Sequence, residues 1–423
     1  MTVLNGDPAP RIMAGPCVER LAADLAQASV ADREAVVERF WAEVERRGAP
    51  VVEAIDGADE HRAVTFLWRG GSAAGQVLLM ANRLTDRRNL AGALLRHLPG
   101  TDVWHLTFRL RADHRGSYKI AAGPSADVLL SDQEGLRVLA ASAVADPLNP
   151  HRLPTRWNGS DSSLFALPHA TPQPWAARRP EIPRGHLERH RLPTGILGAE
   201  RDVWTYLPPE GQRPDLPVVV VCDGDMWFGS LGLHDTLDAL IADGALPPLA
   251  VLAPDSVDNA TRWRELSAND DYVTFLADEL LTWAADRWPL SADPARTVIA
   301  GQSLGGLTAL HAGHTRPDRF GRVLAQSPSL WWRPGLPARV PELAEDGVPW
   351  LVARYAETVP PRPLELRLDV GLHEGAMVDY ARALHDVLRS NGHPATLVEH
   401  NGGHDYAWWR GALADGLITL LAD

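Results

Sequence analysis

The stretch at residues 297–315, TVIAGQSLGGLTALHAGHT, decides the reading of this chain. Thr297 to Ala300 is a short β-branched apolar run, which suits a buried strand. Leu304 to Thr315 is an apolar run of helical length. Between them Gly301, Gln302, Ser303, Leu304 and Gly305 spell G-x-S-x-G. A strand that turns sharply into a helix lifts one side chain above the sheet edge, and the crowded flanking positions must be glycine. Ser303 is therefore the candidate nucleophile. The helix start offers unpaired N–H groups to a developing oxyanion, the first of them at Leu304.

Outward from this stretch the second half of the chain alternates. VVVVC (218–222), LAVLAP (249–254), VLAQS (323–327), LELRLDVG (364–371) and TLVEH (396–400) are short apolar runs rich in β-branched residues. Helical patterns lie between several of them, from Asn269 to Arg287 and from Gly375 to Ser390. Such alternation predicts an α/β unit with a mainly parallel sheet covered on both faces. Together with G-x-S-x-G it is similar to an α/β-hydrolase, in which nucleophile, acid and histidine follow in that order.

A serine hydroxyl needs a base. After the last strand comes Asn401-Gly402-Gly403-His404-Asp405, so His404 is the candidate, with His400 next in line. For the acid, Asp369, Glu374 and Asp379 all follow or end the preceding strand. Glu374, in the loop before a helix, is favoured to orient His404, and a Ser-His dyad is the other arrangement. The second oxyanion donor is expected in the loop Asp223-Gly224-Asp225-Met226-Trp227 after strand VVVVC, at the backbone N–H near Gly224. Asp223 and Asp225 lack companions for a metal site.

The first half reads differently. Asp32 to Arg47 is an amphipathic helix with Asp32 as cap and Val36, Val37, Phe40, Trp41 and Val44 on one face. In VWHLTFRLR (103–111), Trp104, Leu106, Phe108 and Leu110 alternate with His105, Thr107, Arg109 and Arg111, which predicts a strand with one wet face. Stretches 63–70, 75–83 and 116–123 look similar, and together they suggest a small β-sandwich. Five prolines between Pro168 and Pro183 prevent regular structure. The expected organisation is a β-sandwich domain with a leading helix over 1–170, a linker over 171–185, and a catalytic domain over 186–423.

Composition narrows the function. The formal net charge is −13, which disfavours binding to nucleic acid. No run approaches the ~18 apolar residues of a membrane span. The first residues lack the pattern of a secretory signal. Two cysteines make no disulfide framework. A cytoplasmic enzyme without a cofactor is the expectation.

Longer matches add a family. The stretches at 216–228 (LPVVVVCDGDMWF), 262–269 (RWRELSAN), 300–307 (AGQSLGGL), 326–332 (QSPSLWW) and 402–405 (GGHD) occur in one chain. With them stand 64–69 (VTFLWR), 100–104 (GTDVW), 115–118 (RGSY) and 145–150 (ADPLNP). In this the sequence resembles the bacterial enterochelin (enterobactin) esterases across most of its length. The resemblance implies an immunoglobulin-like N-terminal β-sandwich before the hydrolase domain. It also implies hydrolysis of the trilactone of a ferric catecholate siderophore, with the iron as cargo. Ser303 and His404 match the family's nucleophile and base, and Glu374 lies where the family has an acid.

An anionic substrate on an acidic protein requires local basic groups. Arg262, Arg264 and Arg410 are the candidates, with Arg333, because guanidinium binds catecholate oxygens and lies over aromatic rings. Trp227, with Trp263, Trp331, Trp332, Trp408 and Trp409, falls in or beside the same loops. Two other functions fit the residues: an esterase acting on another acyl or aryl ester, and a siderophore-binding protein without catalysis.

Overall fold

The computed structural model describes residues 7–70, 74–124, 133–157, 159–209, 213–337 and 347–422. The chain forms two compact units, Met1–Thr171 with Asn401–Trp408, and Pro172–His400 with Trp409–Asp423.

The second unit is built on eight strands. They are β1 (His186–Pro193), β2 (Glu200–Leu207), β3 (Val218–Val221), β4 (Ala250–Pro254), β5 (Thr297–Gln302), β6 (Arg322–Gln326), β7 (Glu365–Gly371) and β8 (Ala395–His400). Their order in the sheet is β1-β2-β4-β3-β5-β6-β7-β8. β1, β2 and β4 pair antiparallel, and every pair from β4 through β8 is parallel. The parallel strands are the apolar runs of the sequence, as a sheet covered on both faces demands. β5 is buried at every residue. The helix Leu304–Thr315 that follows it is buried from Leu304 to His314. The segment after Asn269 is helical as expected, with a π-helical turn at Phe275–Leu280 between Asp270–Thr274 and Leu281–Ala285.

β1 and β2 gave no sequence signal. β1 reads HLERHRLP and is a largely exposed edge strand, so it carries no apolar run. A further expectation changes. Arg262 and Arg264 lie on a helix, Asn259–Leu266, capped by the Asp258 carboxylate on Thr261 N at 2.7 Å, and not in a loop. Farther along, a helix spans Trp350–Glu357. The proline-rich stretch packs on the second unit, where Trp175 Nε1 and Arg179 Nη2 donate to Asp243 at 3.0 and 2.8 Å.

The first unit holds two antiparallel sheets. One orders Arg11–Met13, Val103–Arg111, His61–Arg69 and Val51–Ala54, with Arg96–His97 also on Val103–Arg111. The other orders Ala74–Ala81, Arg115–Pro124, Ser162–Ala166 and Arg152–Leu153. Phe66 and Phe108 of the first sheet and Val77, Tyr118 and Phe165 of the second share one core. The face expected to be wet at Thr107 is closed. Helices Pro16–Gln27 and Arg33–Arg47 pack with Val51, Leu67 and Val103, and Thr107 Oγ1 lies 3.0 Å from Thr65 Oγ1. Asp32 occupies the cap position of the second helix, but its carboxylate accepts from Ser29 Oγ instead of the helix.

Candidate active site

The Ser303 turn is made by its own neighbours. Ser303 has φ 58° and ψ −119°, a conformation that non-glycine residues rarely hold. Its N donates to Gln326 O at 2.9 Å, and its O accepts from Leu307 N and Ser329 N, both at 3.0 Å. A Cβ on Gly301 would lie 2.4 Å from the carbonyl carbon and oxygen of Gly305, so only glycine fits there. Ser303 Oγ lies 3.3 Å from Ser329 Oγ.

Beside it stands the turn after β3. β3 and β5 are neighbours, with Val221 opposite Ala300, which sets Gly224 and Leu304 at the carboxyl ends of adjacent parallel strands, where ligands of such sheets bind. Asp223 there is left-handed, with φ 67° and ψ 49°, and Gly224 opens the short helix Gly224–Trp227. A Cβ on Gly224 would sit 2.2 Å from Ala253 O. Both turns rest on one buried network. Asp223 accepts from Arg262 Nε and Nη2 at 2.8 and 2.9 Å, from Gln302 Nε2 at 2.6 Å and from Ser256 Oγ. Gln302 Oε1 accepts from Trp227 Nε1 at 3.1 Å. Burial pushes the Cys222 thiol well above its usual range, and the adjacent Asp223 adds to this, so no rival thiolate forms there.

This network engages two of the residues expected to contact substrate. Trp227 is only 1% exposed, with its indole N–H spent on Gln302, so it is a core residue. Arg262 commits a two-pronged contact to Asp223 and shapes the turn from beneath. Arg264 is different, since its side chain is 64% exposed and meets Glu265 at 3.4 Å. Arg410 Nε donates to Gln173 Oε1 at 2.8 Å. Trp408 and Trp409 are buried, whereas Trp263 and Trp331 are partly exposed, with ring centroids 5.9 Å apart.

Glu374 follows β7 and is 1% exposed. Its Oε1 accepts from Gly371 N at 2.8 Å and from Ser327 Oγ at 2.6 Å. Ser327 Oγ in turn accepts from Trp409 Nε1 at 2.9 Å. Thus Ser327 and Ser329, two residues apart after β6, reach Glu374 and Ser303. Neither serine stood out in the sequence, although their place at the carboxyl end of a central parallel strand was the available signal. The runner-up residues form a separate pair, His400 Nε2 to Asp369 Oδ1 at 3.1 Å, which Arg367 Nε joins at 3.2 Å.

His404 lies on the loop between β8 and the helix Tyr406–Leu421, within the part of the chain that packs with the first unit. Its backbone O accepts from Asn82 Nδ2 at 2.8 Å. Among the described residues there is no group of three or more His, Cys, Asp or Glu side chains suited to a metal ion, and no helix long and apolar enough to cross a membrane.

An eight-stranded, mainly parallel sheet with a strained serine at the turn after its central strand defines a serine ester hydrolase of α/β-hydrolase fold. The comparisons carry this further. Residues 194–420 match the Esterase family, and residues 63–176 match the family described as "Enterochelin esterase, N-terminal". The chain is 35% identical to the iron(III) salmochelin esterase of Escherichia coli O6:H1, over 90% of this chain and 93% of that protein. It is 35% identical to the iron(III) enterobactin esterase of Dickeya dadantii, over 91% and 93%. The solved ferric enterobactin esterase of Salmonella typhimurium superposes with a TM-score of 0.77 at 30% identity, covering 89% of this chain and 98% of that one. The enterobactin esterase of Shigella flexneri, solved in the presence of enterobactin, gives 0.76 at 30% identity, covering 90% and 97%. The chain belongs to the enterochelin esterase family, and it is a carboxylic ester hydrolase.

Proposed function

We propose that this enzyme hydrolyses the lactone esters of a ferric catecholate siderophore such as enterobactin, in the cytoplasm, so that the iron it carries can be released. The observation that carries this is the Ser303 turn standing in a chain that matches siderophore esterases along nearly its whole length. Ser303 Oγ attacks the ester carbonyl while His404 takes the hydroxyl proton. The oxyanion accepts from the N–H groups of Leu304 and Gly224, and each such donor is worth roughly 10²–10³ in rate. Collapse breaks the ester C–O bond, and His404 returns the proton to the leaving alkoxide. Water then attacks the acyl-serine by the same route in reverse. Glu374 orients His404 and stabilises the imidazolium.

Substrate contact falls to Arg264, Trp263 and Trp331, with Arg410 a further candidate. The exposed guanidinium and the two partly exposed indoles suit catecholate oxygens and rings. The two sheets of the first unit, with their shared core, support reading it as an immunoglobulin-like sandwich. Two free buried cysteines agree with a reducing compartment.

The test is incubation of the purified protein with ferric enterobactin, with Ser303→Ala alongside and products followed by mass spectrometry. The wild type is expected to give linear trimer and shorter dihydroxybenzoyl-serine products. The variant should lose roughly 10⁶ in kcat while still binding the substrate. Cleavage of simple aryl esters alone would remove the substrate and keep the chemistry. Tight binding with no hydrolysis of either ester would make the protein a binding protein.

A further inference from the structure

The loop that presents His404 is pinned along its length by segments of the first unit. On one side, Asn82 Nδ2 donates to His404 O at 2.8 Å. Asn82 is itself fixed, because its own N donates to Ser117 O at 2.9 Å. The turn around it is also locked, with Thr85 Oγ1 accepting from Ala81 N at 3.0 Å and donating to Leu79 O at 2.8 Å. On the other side, Arg115 N donates to Asn401 O at 3.0 Å, and Ser117 N donates to Asp405 Oδ2 at 2.7 Å. The fit is close. A Cβ on Gly403 would lie 2.6 Å from Asn82 Oδ1 and from Arg83 Cγ, and one on Gly402 would lie 2.8 Å from Arg115 O. Asp405 is buried, and burial raises its carboxyl above the usual range, with the hydrogen bonds from Ala407 N and Ser117 opposing that rise.

We infer that Asn82 is a positioning residue for catalysis: its amide fixes the backbone of His404 and so places the imidazole. The inference rests on the reading of His404 as the base. Asn82 does not touch the reacting atoms, so its removal should act on kcat and leave substrate affinity nearly alone. A misplacement of about 1 Å is enough to lower a rate about 10²-fold.

The experiment uses the full chain with Asn82→Asp, Asn82→Ala and, as control, His404→Ala. Each is assayed for kcat and KM on ferric enterobactin and on a nitrophenyl ester, and each is melted. Aspartate has the shape of asparagine but sets an oxygen against the His404 carbonyl, whereas alanine only removes the donor. Positioning therefore predicts a kcat loss of about 10- to 100-fold for Asn82→Asp and a smaller loss for Asn82→Ala. KM should stay within about threefold on both esters, and both variants should melt close to the wild type. A packing role predicts the opposite order, and that order overturns the inference. So does wild-type kcat in Asn82→Asp beside an inactive His404→Ala, a result that leaves the base reading intact. An active His404→Ala removes the base reading and this inference with it. If the aspartate variant does not fold, wild-type kcat in folded Asn82→Ala overturns the inference, and a loss of about tenfold with KM unchanged supports it.

Discussion

The Ser303 turn and the His404 loop are held in opposite ways. Ser303 is fixed by groups close to it in the chain or on the next strand: Gly301 and Gly305 in contact, the helix from Leu304, and the carbonyl of Gln326. The His404 loop is fixed by Asn82, Arg115 and Ser117, about three hundred residues away in sequence. Ser303 holds a strained backbone, and a short strand–turn–helix over-determines that strain. The role proposed for His404 needs only the right place, which a few hydrogen bonds from a rigid sheet can supply.

The acid tests how far the local mode of support extends. Glu374→Gln keeps the Oε1 acceptor for Gly371 N and Ser327 Oγ but removes the charge. If Glu374 orients and stabilises His404, kcat should fall by about 10²–10⁴ with little change in melting. A loss below tenfold would mean that Ser303 and His404 work as a dyad, and that the Ser327–Glu374 contact only braces the turn after β6.

The network beneath the Ser303 turn gives the next largest effect. Arg262→Met leaves Asp223 buried without its ion-pair partner, and breaking such a pair costs about 3–5 kcal/mol. Denaturant unfolding should register this loss. Arg264→Ala, at an exposed side chain, should leave stability unchanged and raise KM for the ferric siderophore severalfold. Equal stability losses at both positions would remove the distinction between a structural and a substrate-facing arginine.

What the sequence made legible follows the same division. The parallel strands of the second unit from Val218 through Gly371 are legible as apolar runs because strands buried on both faces must be apolar. The Ser303 turn was visible because its constraints are local and force glycines into a fixed spacing. Strand β1, polar and exposed, left no pattern to read. The burial of Trp227 and the commitment of Arg262 to Asp223 were equally hidden, since they depend on which loops of separate strands meet. Asn82 had no signal at all: an asparagine after a strand is the ordinary turn residue, and its partner lies 322 positions away.

The smallest effect concerns the charge held near the nucleophile side. Asp255 ends the β4 region, and its carboxyl is pushed up to about 6, chiefly by burial and then by the negative charge of Asp225. Arg189 and Trp204 Nε1 oppose this, donating to it at 2.8 Å each. A folded-state value above the unfolded value of about 3.9 means that the native protein binds more protons between those two pH values. The stabilisation is therefore full below about pH 4 and lost as the pH rises through about 6, a change of order 2 kcal/mol. Asp255→Asn cannot ionise, so its stability relative to the wild type should rise between pH 4 and pH 7. Urea unfolding of both proteins at the two pH values measures this, and a difference that does not vary with pH would show that Arg189 already neutralises Asp255 in the fold.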